Sequence, residues 1–444
     1  MAVLVRAIIT RFGAQDKRTL TQHGRSLAQF KPAKPVLQHA AGFVSAAVAR
    51  AEPPTIVLGT GISALGALRV IGRDGLHPLV AEVNDPLLQR SRWFRPVPNA
   101  PRAFNDDIFR SWLEALPGDR YVLMPCSDHW VRRVAELDRG LRVRFPASVP
   151  AKESLHRLVD KGAFAELLSE TGTPHPRSYA ADAETDLDTV PEAVFSSAIL
   201  KPRDSQPFIA HFGVKAVHVS SREDARRQLR DLLAGGFSVI LQEYIPGPPG
   251  NHYFVDGFVD RFGTVQAIFV RRRLRMYPLD FGNSTAMVSV EAVEASEAVA
   301  AITRLLAHLK YRGMFSAEFK LDPRDGAFKI VEVNARAWWY VEYAARCGVD
   351  VCRMAYNDAL DRPVTSLATY AIGKRLVFPY YDYPACMAES RRSDLSRAAA
   401  VRSWLGAMQP VFQFHDPKPG LHAFFKVIKS FVVNRVRKLG RGTR

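Results

Sequence analysis

Two glutamates lie where a pair of antiparallel strands would bring their carboxylates together. Glu318 belongs to a run with strand composition at residues 314–321, and Glu332 belongs to a second run at residues 328–333. Between them Asp-Pro-Arg-Asp-Gly is a strong turn signal, so the two runs predict a β-hairpin. If the two glutamates face each other, both side chains lie on one face of the hairpin. Like charges placed directly opposite repel, so such a pair is explained by a bound divalent cation.

The residues that follow Glu332 extend this chemistry. Asn334 lies two residues further along the same face, and Arg336 lies two residues beyond it. Two carboxylates and an amide oxygen are hard donors that suit Mg²⁺, and an arginine can hold a phosphate or a carboxylate bidentately. The alternative interpretation is an amphipathic hairpin whose acidic face is simply solvated, and the hairpin by itself leaves both interpretations open.

Five basic residues elsewhere are placed where anions can bind. Lys161 opens a predicted helix, and Lys201 follows a short apolar strand. A lysine at the end of an apolar strand is costly to bury without an anion partner, which is either a phosphate or a carboxylate elsewhere in the fold. Arg271, Arg273 and Arg275 alternate along another predicted strand, so one face presents three guanidinium groups. That face either receives substrate anions or is an exposed strand face.

The first predicted α/β unit begins with a strand that leads into a G-x-G-x-x-A sequence at residues 59–64. A helix and a second strand follow, and Glu82 stands where a dinucleotide-binding fold places its ribose-binding acid. This pattern predicts an NAD-type site; alternatively the glycines only permit a tight turn between strand and helix. A third strand precedes a helix that Ser127 and Asp128 are expected to cap.

The net charge of the 444-residue chain is +17, and its location bears on function. Residues 1–51 carry +7 and residues 417–444 carry +8, so only +2 remains for residues 52–416. The body of the chain therefore offers no broad footprint for a nucleic-acid backbone, and we predict no specific nucleic-acid partner. Four cysteines without a CxxC pair indicate a reducing cytosol, and the lack of a long apolar stretch argues against an integral membrane protein.

Taken in chain order, five pieces between about residues 55 and 362 resemble the ATP-grasp superfamily, in particular its carboxylate–amine ligases. These pieces are the α/β N-domain, the helix that begins at Asp160-Lys161, the strand at residues 199–202, the hinge at residues 242–247, and the hairpin that carries Glu318 and residues 332–336. Each piece is weak singly, but five in this order are specific. In the family the N-domain need not bind a nucleotide, which weakens the NAD interpretation.

The resemblance implies a role for each matching residue. The ATP-binding residues would be Lys161, Lys201, Gln242, Glu243 and Ile245. The Mg²⁺ ligands, with Mn²⁺ as an alternative metal, would be Glu318, Glu332 and Asn334. Arg336 would stabilise the γ-phosphoryl group during transfer and the acyl phosphate that forms, and Arg271 and Arg273 are candidates for substrate binding.

The expected fold is mixed, α/β and α+β, with a Rossmann-like N-domain followed by a two-lobed ATP-grasp module. The predicted parts are a basic N-terminal extension (1–51), an α/β domain (52–150), an ATP-grasp domain (151–365) with a lid at about 175–240, and a C-terminal region (366–444). Many relatives have a Gly-rich phosphate loop in the lid. Here residues 203–213 hold a single late glycine, so lid contacts would come from Ser205, His211 or Lys215.

These patterns predict an ATP- and Mg²⁺-dependent cytoplasmic ligase that joins a small-molecule carboxylate to an amine through an acyl phosphate. The alternatives are a nucleotide-binding scaffold without catalysis and an NAD-dependent oxidoreductase. An apolar stripe at residues 421–439, bordered by basic residues, is either docked on the body of the protein or in peripheral contact with an anionic membrane. A homodimer is kept as a further option.

Overall fold

The computed structural model describes residues 52–203, 205–390, 397–427 and 429. These residues form three β-sheets with helices packed against them. Residues 1–51 and most of the stripe at 421–439 lie outside this description, so the predictions for those segments stay predictions. No helix in the described part combines the length and the apolar character that crossing a membrane requires.

The first sheet is parallel, with the strand order β2-β1-β3. Its strands are β1 (Thr55–Leu58), β2 (Pro78–Val80) and β3 (Val122–Pro125). Its helices are α1 (Gly61–Arg73), α2 (Asp106–Ala115), α3 (Asp128–Ala135) and α4 (Arg139–Arg144). Ile56 and Val57 point to opposite faces of β1 and both are buried, because helices cover both faces of the sheet.

The glycine turn between β1 and α1 is occupied by the chain's own groups. Gly59 and Gly61 have φ angles of +136° and +68°, which favour glycine. The Gly61 amide donates a hydrogen bond of 2.7 Å to the Asp85 carboxylate, and Glu82 accepts one from the Trp130 indole. The Asp85 carboxylate therefore already accepts the hydrogen bond that the Gly61 amide would donate to a dinucleotide phosphate. These contacts favour the interpretation of the glycines as a tight turn.

The second sheet is antiparallel, with the order β4-β7-β5-β6. Two helices precede it, α5 (Lys152–Val159) and α6 (Lys161–Glu170). The strands are β4 (Ser178–Ala181), β5 (Ala198–Pro202), β6 (Val217–Val219) and β7 (Val239–Glu243). Two further helices, α7 (Ser205–Phe212) and α8 (Arg222–Ala234), pack against this sheet.

Helix α7 lies where the sequence suggested a glycine-poor phosphate loop. Phe208 is fully buried and its ring contacts those of Phe212 and Phe237, at centroid distances of 4.6 and 5.5 Å. Burying this apolar surface stabilises a helix over residues that need no glycine, and Gly213, with φ of +71°, follows its end. This chain therefore has a packed helix in the segment where many relatives have a Gly-rich phosphate loop.

The third sheet has six antiparallel strands in the order β12-β11-β8-β9-β10-β13. The strands are β8 (His252–Val259), β9 (Val265–Tyr277), β10 (Asn283–Ser289), β11 (Gly313–Leu321), β12 (Phe328–Asn334) and β13 (Arg375–Val377). The associated helices are α9 (Ser296–His308), α10 (Val341–Arg346), α11 (Val351–Ala359), α12 (Pro379–Glu389) and α13 (Arg397–Arg402). Val270 and Phe315 pack with α9, whereas Phe258 and Phe269 pack with α10 and α11, so both faces are covered.

The turn between β11 and β12 is held by a buried carboxylate. Asp322 accepts hydrogen bonds from the Arg324 side chain at 2.6 and 2.8 Å and from Lys329 Nζ at 2.6 Å. The Arg324 contact is the main cause that holds the pKa of Asp322 well below its ordinary value of 3.8. This turn fixes the pairs from Leu321–Phe328 to Phe319–Ile330, and a register shift beyond them brings Glu318 opposite Glu332.

We expect Asp322→Asn to lower the free energy of unfolding by about 2 kcal/mol at neutral pH, because it removes the charged acceptor that Arg324 and Lys329 share while leaving them Glu243 and Asp325. Since the pKa of Asp322 is depressed in the folded state, its contribution is present above the ordinary value of 3.8 and is lost as pH falls below it. Urea unfolding as a function of pH measures both effects. A difference between wild type and variant that stays constant into strong acid would contradict this assignment.

Candidate active site

A cleft of about 490 Å³ lies between the second and third sheets. Its lining includes every residue predicted for ATP, metal or substrate binding or for phosphoryl transfer, with the exception of Lys161: Lys201, Gln242, Glu243, Ile245, Arg271, Arg273, Glu318, Glu332, Asn334 and Arg336. Of the predicted lid contacts, Lys215 lines the cleft and His211 does not. Further residues that sequence reasoning did not assign to the site also line it, among them Asp128, Tyr244, His252, Lys320 and Trp339. Residues from β5, β7, β8, β9, β11 and β12 therefore converge on one space.

The predicted pairing of the two glutamates is confirmed. Glu318 is opposite Glu332 in the register of β11 and β12, and Ser316 is opposite Asn334. The Asn334 amide donates to Glu332 Oε1 at 3.1 Å, so these two side chains are adjacent. Glu332 is exposed to the cleft, whereas Glu318 is largely buried.

The buried Glu318 is kept ionised by its neighbours. Arg273 Nη2 and His252 Nδ1 both contact Glu318 Oε1, at 2.9 and 2.8 Å. Burial acts to raise the pKa of Glu318, but Arg273 and His252 together hold it below its usual range. Burial, reinforced by Arg273, lowers the pKa of His252 to about 4. At neutral pH a neutral imidazole therefore donates its Nδ1 proton to a charged carboxylate.

This donor set fits a magnesium ion that keeps other ligands. Glu318, Glu332 and Asn334 offer hard oxygen atoms on one face of the hairpin. No group of three or more His, Cys, Asp or Glu placed to bind a metal is found among the described residues. Mg²⁺ is usually held by one or two carboxylates together with waters and substrate phosphates, so an incomplete protein shell is what this metal requires.

The row of arginines on β9 is not an exposed strand face, and that interpretation is wrong. Arg271, Arg273 and Arg275 are all buried. They pair with three different carboxylates: Asp256 at 2.6 Å, Glu318 at 2.9 Å and Asp382 at 2.6 Å. A buried guanidinium requires such a partner, since an unpaired charge away from water is very costly. The structure shows Arg271 and Arg273 at the cleft, but with their charges already balanced.

Three lysines in the cleft have neutral hydrogen-bond acceptors instead. Lys201 Nζ lies 3.5 Å from Gln242 Oε1, and burial lowers the pKa of Lys201. Lys215 Nζ donates to Asn283 Oδ1 at 2.6 Å, and Lys320 Nζ donates to the Ile245 carbonyl at 2.6 Å. Three ammonium groups with these contacts in one cleft favour a polyanionic ligand.

Lys320 connects β11, the strand that carries Glu318, to the hinge at residues 242–247. It is buried, its ammonium group lies 4.8 Å from the centroid of the Tyr244 ring, and burial lowers its pKa to about 8. By holding the Ile245 carbonyl it determines the direction of the hinge backbone beyond β7. Lys320 is two residues from Glu318 on β11, so strand alternation already indicated in the sequence that the two side chains share a face.

Lys161 is not among the residues that line the cleft. Its Nζ donates to the carbonyl oxygens of Pro202 and Arg203, the latter at 2.8 Å. It therefore lies at the end of β5 beside Lys201, and a direct contact with a bound phosphate stays a prediction. Asp160 caps the helix that Lys161 opens, accepting from the Ala163 amide at 2.9 Å.

Arg336 is held by a carboxylate from the first sheet. Its Nε and Nη2 donate to Asp128 Oδ1 and Oδ2 at 2.9 and 3.0 Å, and Nη2 also donates to Asn334 Oδ1 at 2.9 Å. Ser127 caps α3 as predicted, accepting from the Trp130 amide, but Asp128 points its carboxylate to the cleft. Their adjacency at a helix start gave no signal that the two residues have different roles.

Three aromatic residues follow Arg336 closely and precede helix α10, which starts at Val341. Two of them, Trp338 and Tyr340, are buried. Trp339 is 40% exposed and lines the cleft. Trp338 and Tyr340 also line the cleft, so Trp339 differs from them in its exposure.

Comparisons with known proteins bear on this site. No protein-family model matches the chain. Over 249 residues the chain is 23% identical to a D-aspartate ligase of Enterococcus faecium, an alignment that covers 54% of this chain and 58% of the relative. The chain thus spans less than two thirds of that relative's length.

Solved structures resemble the fold over most of the chain. A biotin carboxylase of Campylobacter jejuni, in complex with β,γ-ATP, has a TM-score of 0.55 at 16% identity, covering 73% of this chain and 74% of its own. An N5-carboxyaminoimidazole ribonucleotide synthetase of Thermotoga maritima scores 0.50 at 15% identity, covering 71% and 77%. An L-amino acid ligase of Bacillus licheniformis scores 0.50 at 16% identity, covering 69% and 74%. Identities this low establish a shared fold only.

Proposed function

The chain has the ATP-grasp fold of the carboxylate–amine ligases that it resembles, and from this premise we propose that it is an ATP- and Mg²⁺-dependent ligase of that type. It would transfer the γ-phosphoryl group of ATP to a substrate carboxylate. An amine would then displace phosphate from the acyl phosphate, forming a carbon–nitrogen bond. The relatives named above as D-aspartate ligase and L-amino acid ligase suggest an amino acid as the carboxylate substrate.

A single observation carries this proposal. One cleft contains the paired carboxylates on β11 and β12, an arginine beside them, and three lysines whose recorded acceptors are neutral oxygen atoms. Phosphoryl transfer needs positioning and charge neutralisation more than a protein nucleophile. A solvated acidic hairpin would require neither Lys320 nor Arg273, which are both buried beside it.

Different residues of the cleft would contact different parts of ATP. Lys201 and Lys215 would neutralise phosphate oxygens, and residues 242–245 of the hinge would contact the adenine. Glu318, Glu332 and Asn334 would hold Mg²⁺, with Mn²⁺ as an alternative, and the bound metal neutralises phosphate charge. Arg273 would orient Glu318.

Arg336 would stabilise the phosphoryl group during transfer and the acyl phosphate that forms. Direct substrate contacts by Arg271 and Arg273 stay predictions, because each would have to exchange a carboxylate partner.

We also propose the domain division on which this mechanism depends. Residues 52–150 would form a Rossmann-like support, and residues 151–365 would form the ATP-grasp module, with a lid at about 175–240. The lid would keep water from the acyl phosphate, which otherwise hydrolyses. Homodimerisation and membrane contact through the C-terminal tail stay predictions.

The direct test is ADP release from ATP–Mg²⁺ in a matrix of substrates. D- and L-aspartate, other amino acids and dicarboxylates are each offered with ammonium, hydroxylamine or a second amino acid. We expect ADP formation that depends on one carboxylate and an amide product that depends on one amine. If no carboxylate in the matrix stimulates ADP release, the ligase proposal is contradicted; the scaffold alternative is favoured if ATP binds but is not turned over at all.

We expect ATP with Mg²⁺ to raise the thermal midpoint, and NAD or NADP to leave it unchanged. A ligand that binds only the folded state stabilises it by roughly 2.7 kcal/mol at a hundredfold excess over Kd. The nicotinamide cofactors should fail because the Gly61 amide is already bound to Asp85. Differential scanning fluorimetry provides the measurement. A shift with NAD and none with ATP–Mg²⁺ would restore the oxidoreductase interpretation.

A further inference from the structure

All three nitrogen atoms of the Arg336 guanidinium donate hydrogen bonds in this structure. Nε and Nη2 bind both oxygen atoms of Asp128, Nη2 also binds Asn334, and Nη1 donates to the Ala337 carbonyl at 3.1 Å. To bind a phosphoryl group through its planar fork, Arg336 must release an acceptor. Asp128 is the charged acceptor, and its side chain is 45% exposed, so it is the partner that a phosphate oxygen can displace.

The other carboxylates that line the cleft have different surroundings. Glu243 pairs with Arg324 at 2.8 Å, and Glu318 pairs with Arg273. Glu332 is opposite Glu318 and accepts from Asn334. Asp280 lies in the segment between β9 and β10, where its charge acts on Tyr244 and Lys320 at the hinge. Asp128 is thus the carboxylate next to Arg336 that neither the proposed metal site nor the hinge uses.

We propose that Asp128 is a catalytic residue that receives the ammonium group of the amine substrate once the acyl phosphate has drawn Arg336 away. This inference rests on the proposed ligase function. When the phosphoryl oxygens take over the guanidinium fork, the Asp128 carboxylate is left in the cleft without its counter-ion. A carboxylate in that position attracts a cation, and the arriving cation is the protonated amine. Formation of the acyl phosphate therefore creates the amine site.

The chemical step balances with Asp128 as the first proton acceptor. One proton passes from the ammonium nitrogen to Asp128 Oδ, and the freed electron pair forms the bond to the acyl carbon. The carbon–oxygen bond to the phosphoryl group breaks, and its electron pair leaves with phosphate. The second proton of the nitrogen goes to the leaving phosphate, so an amide and hydrogen phosphate result.

Asp128→Asn tests the inference because it keeps the shape and removes the charge. Hydroxylamine is uncharged at neutral pH and traps acyl phosphates as hydroxamates. It therefore needs no ammonium site, and the leaving phosphate can accept the one proton that its nitrogen loses. With ATP–Mg²⁺ and the carboxylate found in the matrix above, we expect the variant to keep hydroxamate formation within a few-fold of wild type. Amide formation with the amine found there should fall by about 10²-fold or more.

Asp107→Asn is the matched control. Asp107 is exposed in the first turn of α2, as Asp128 is in the first turn of α3, so both variants remove a carboxylate that favours a helix start. The control should change neither reaction. Asp128→Glu should recover part of the amide reaction, because it restores the charge.

The outcomes separate this inference from the proposed function. If wild type forms neither hydroxamate nor amide, the ligase function itself fails. If wild type forms both and Asp128→Asn reduces them equally, Asp128 only positions Arg336 and the inference is overturned. The inference is also overturned if Asp128→Asn reduces neither reaction, because the ratio of amide to hydroxamate then stays at the wild-type value. If Asp128→Asn does not fold, the ratio measured for Asp128→Glu decides, since a longer side chain should shift it in favour of hydroxamate.

Discussion

Glu332→Gln is expected to reduce ADP formation by about 10³-fold while leaving the protein folded. The variant keeps the size and hydrogen-bonding shape of the side chain but removes one of two charges that face the proposed metal site. Several kcal/mol of charge stabilisation in the transition state depend on such a ligand, and about 1.4 kcal/mol corresponds to a tenfold change in rate. Because Glu332 is exposed and has no ion-pair partner within the described residues, its replacement should cost little stability.

The measurement is steady-state ADP release together with a thermal midpoint. Glu291→Gln is a suitable control, because Glu291 is exposed just after β10 and does not line the cleft. It makes the same chemical change at an exposed residue outside the cleft and should retain full activity. Near-normal turnover by Glu332→Gln would show that the paired glutamates are a solvated face, and the metal assignment would fail.

Arg336→Met is expected to have an effect of similar or larger size. An arginine that stabilises a phosphoryl group in transfer contributes about 10³ to 10⁵ in rate. Unlike Asp128→Asn, this variant should reduce hydroxamate and amide formation together, because both reactions need the acyl phosphate. Arg336→Lys should recover only part of the rate, since an ammonium group keeps the charge but cannot present two parallel donors.

Arg304→Met serves as the comparison for this experiment, since Arg304 is exposed on α9 and lies outside the cleft lining. Single-turnover phosphoryl transfer with the identified carboxylate gives the rate of the chemical step directly. If Arg336→Met slowed amide formation but left hydroxamate formation at the wild-type rate, the arginine would act after acyl phosphate formation, and its proposed role in phosphoryl transfer would be wrong.

The hairpin and its turn could be derived from the sequence. Strand alternation places Glu332 and Asn334 on one face. Counting pairs back from the Asp-Pro-Arg-Asp-Gly turn would put Glu318 opposite Val331, and a register shift between Glu318 and Phe319 brings Glu332 opposite Glu318 instead. The same local rules located the strands of the first sheet and the end of β5, where Lys201 stands. These features depend on neighbours that are close in the chain, so a period of two and a turn signal suffice to predict them.

Contacts between distant parts of the chain were decided by the tertiary structure. Arg336 and Asp128 are 208 residues apart, and Arg275 and Asp382 are 107 apart. A pattern of alternating arginines shows that they share a face, but not whether that face is buried, because burial depends on what packs against it.

The helix at residues 205–212 has the same origin. Its residues carry no glycine signal, and the helix is stabilised by burial of Phe208 against the second sheet. The sequence alone therefore determined the groups that can bind metal and phosphate. Only the packing of three sheets around one cleft decided which of their charges are already balanced by the protein and which remain for a ligand.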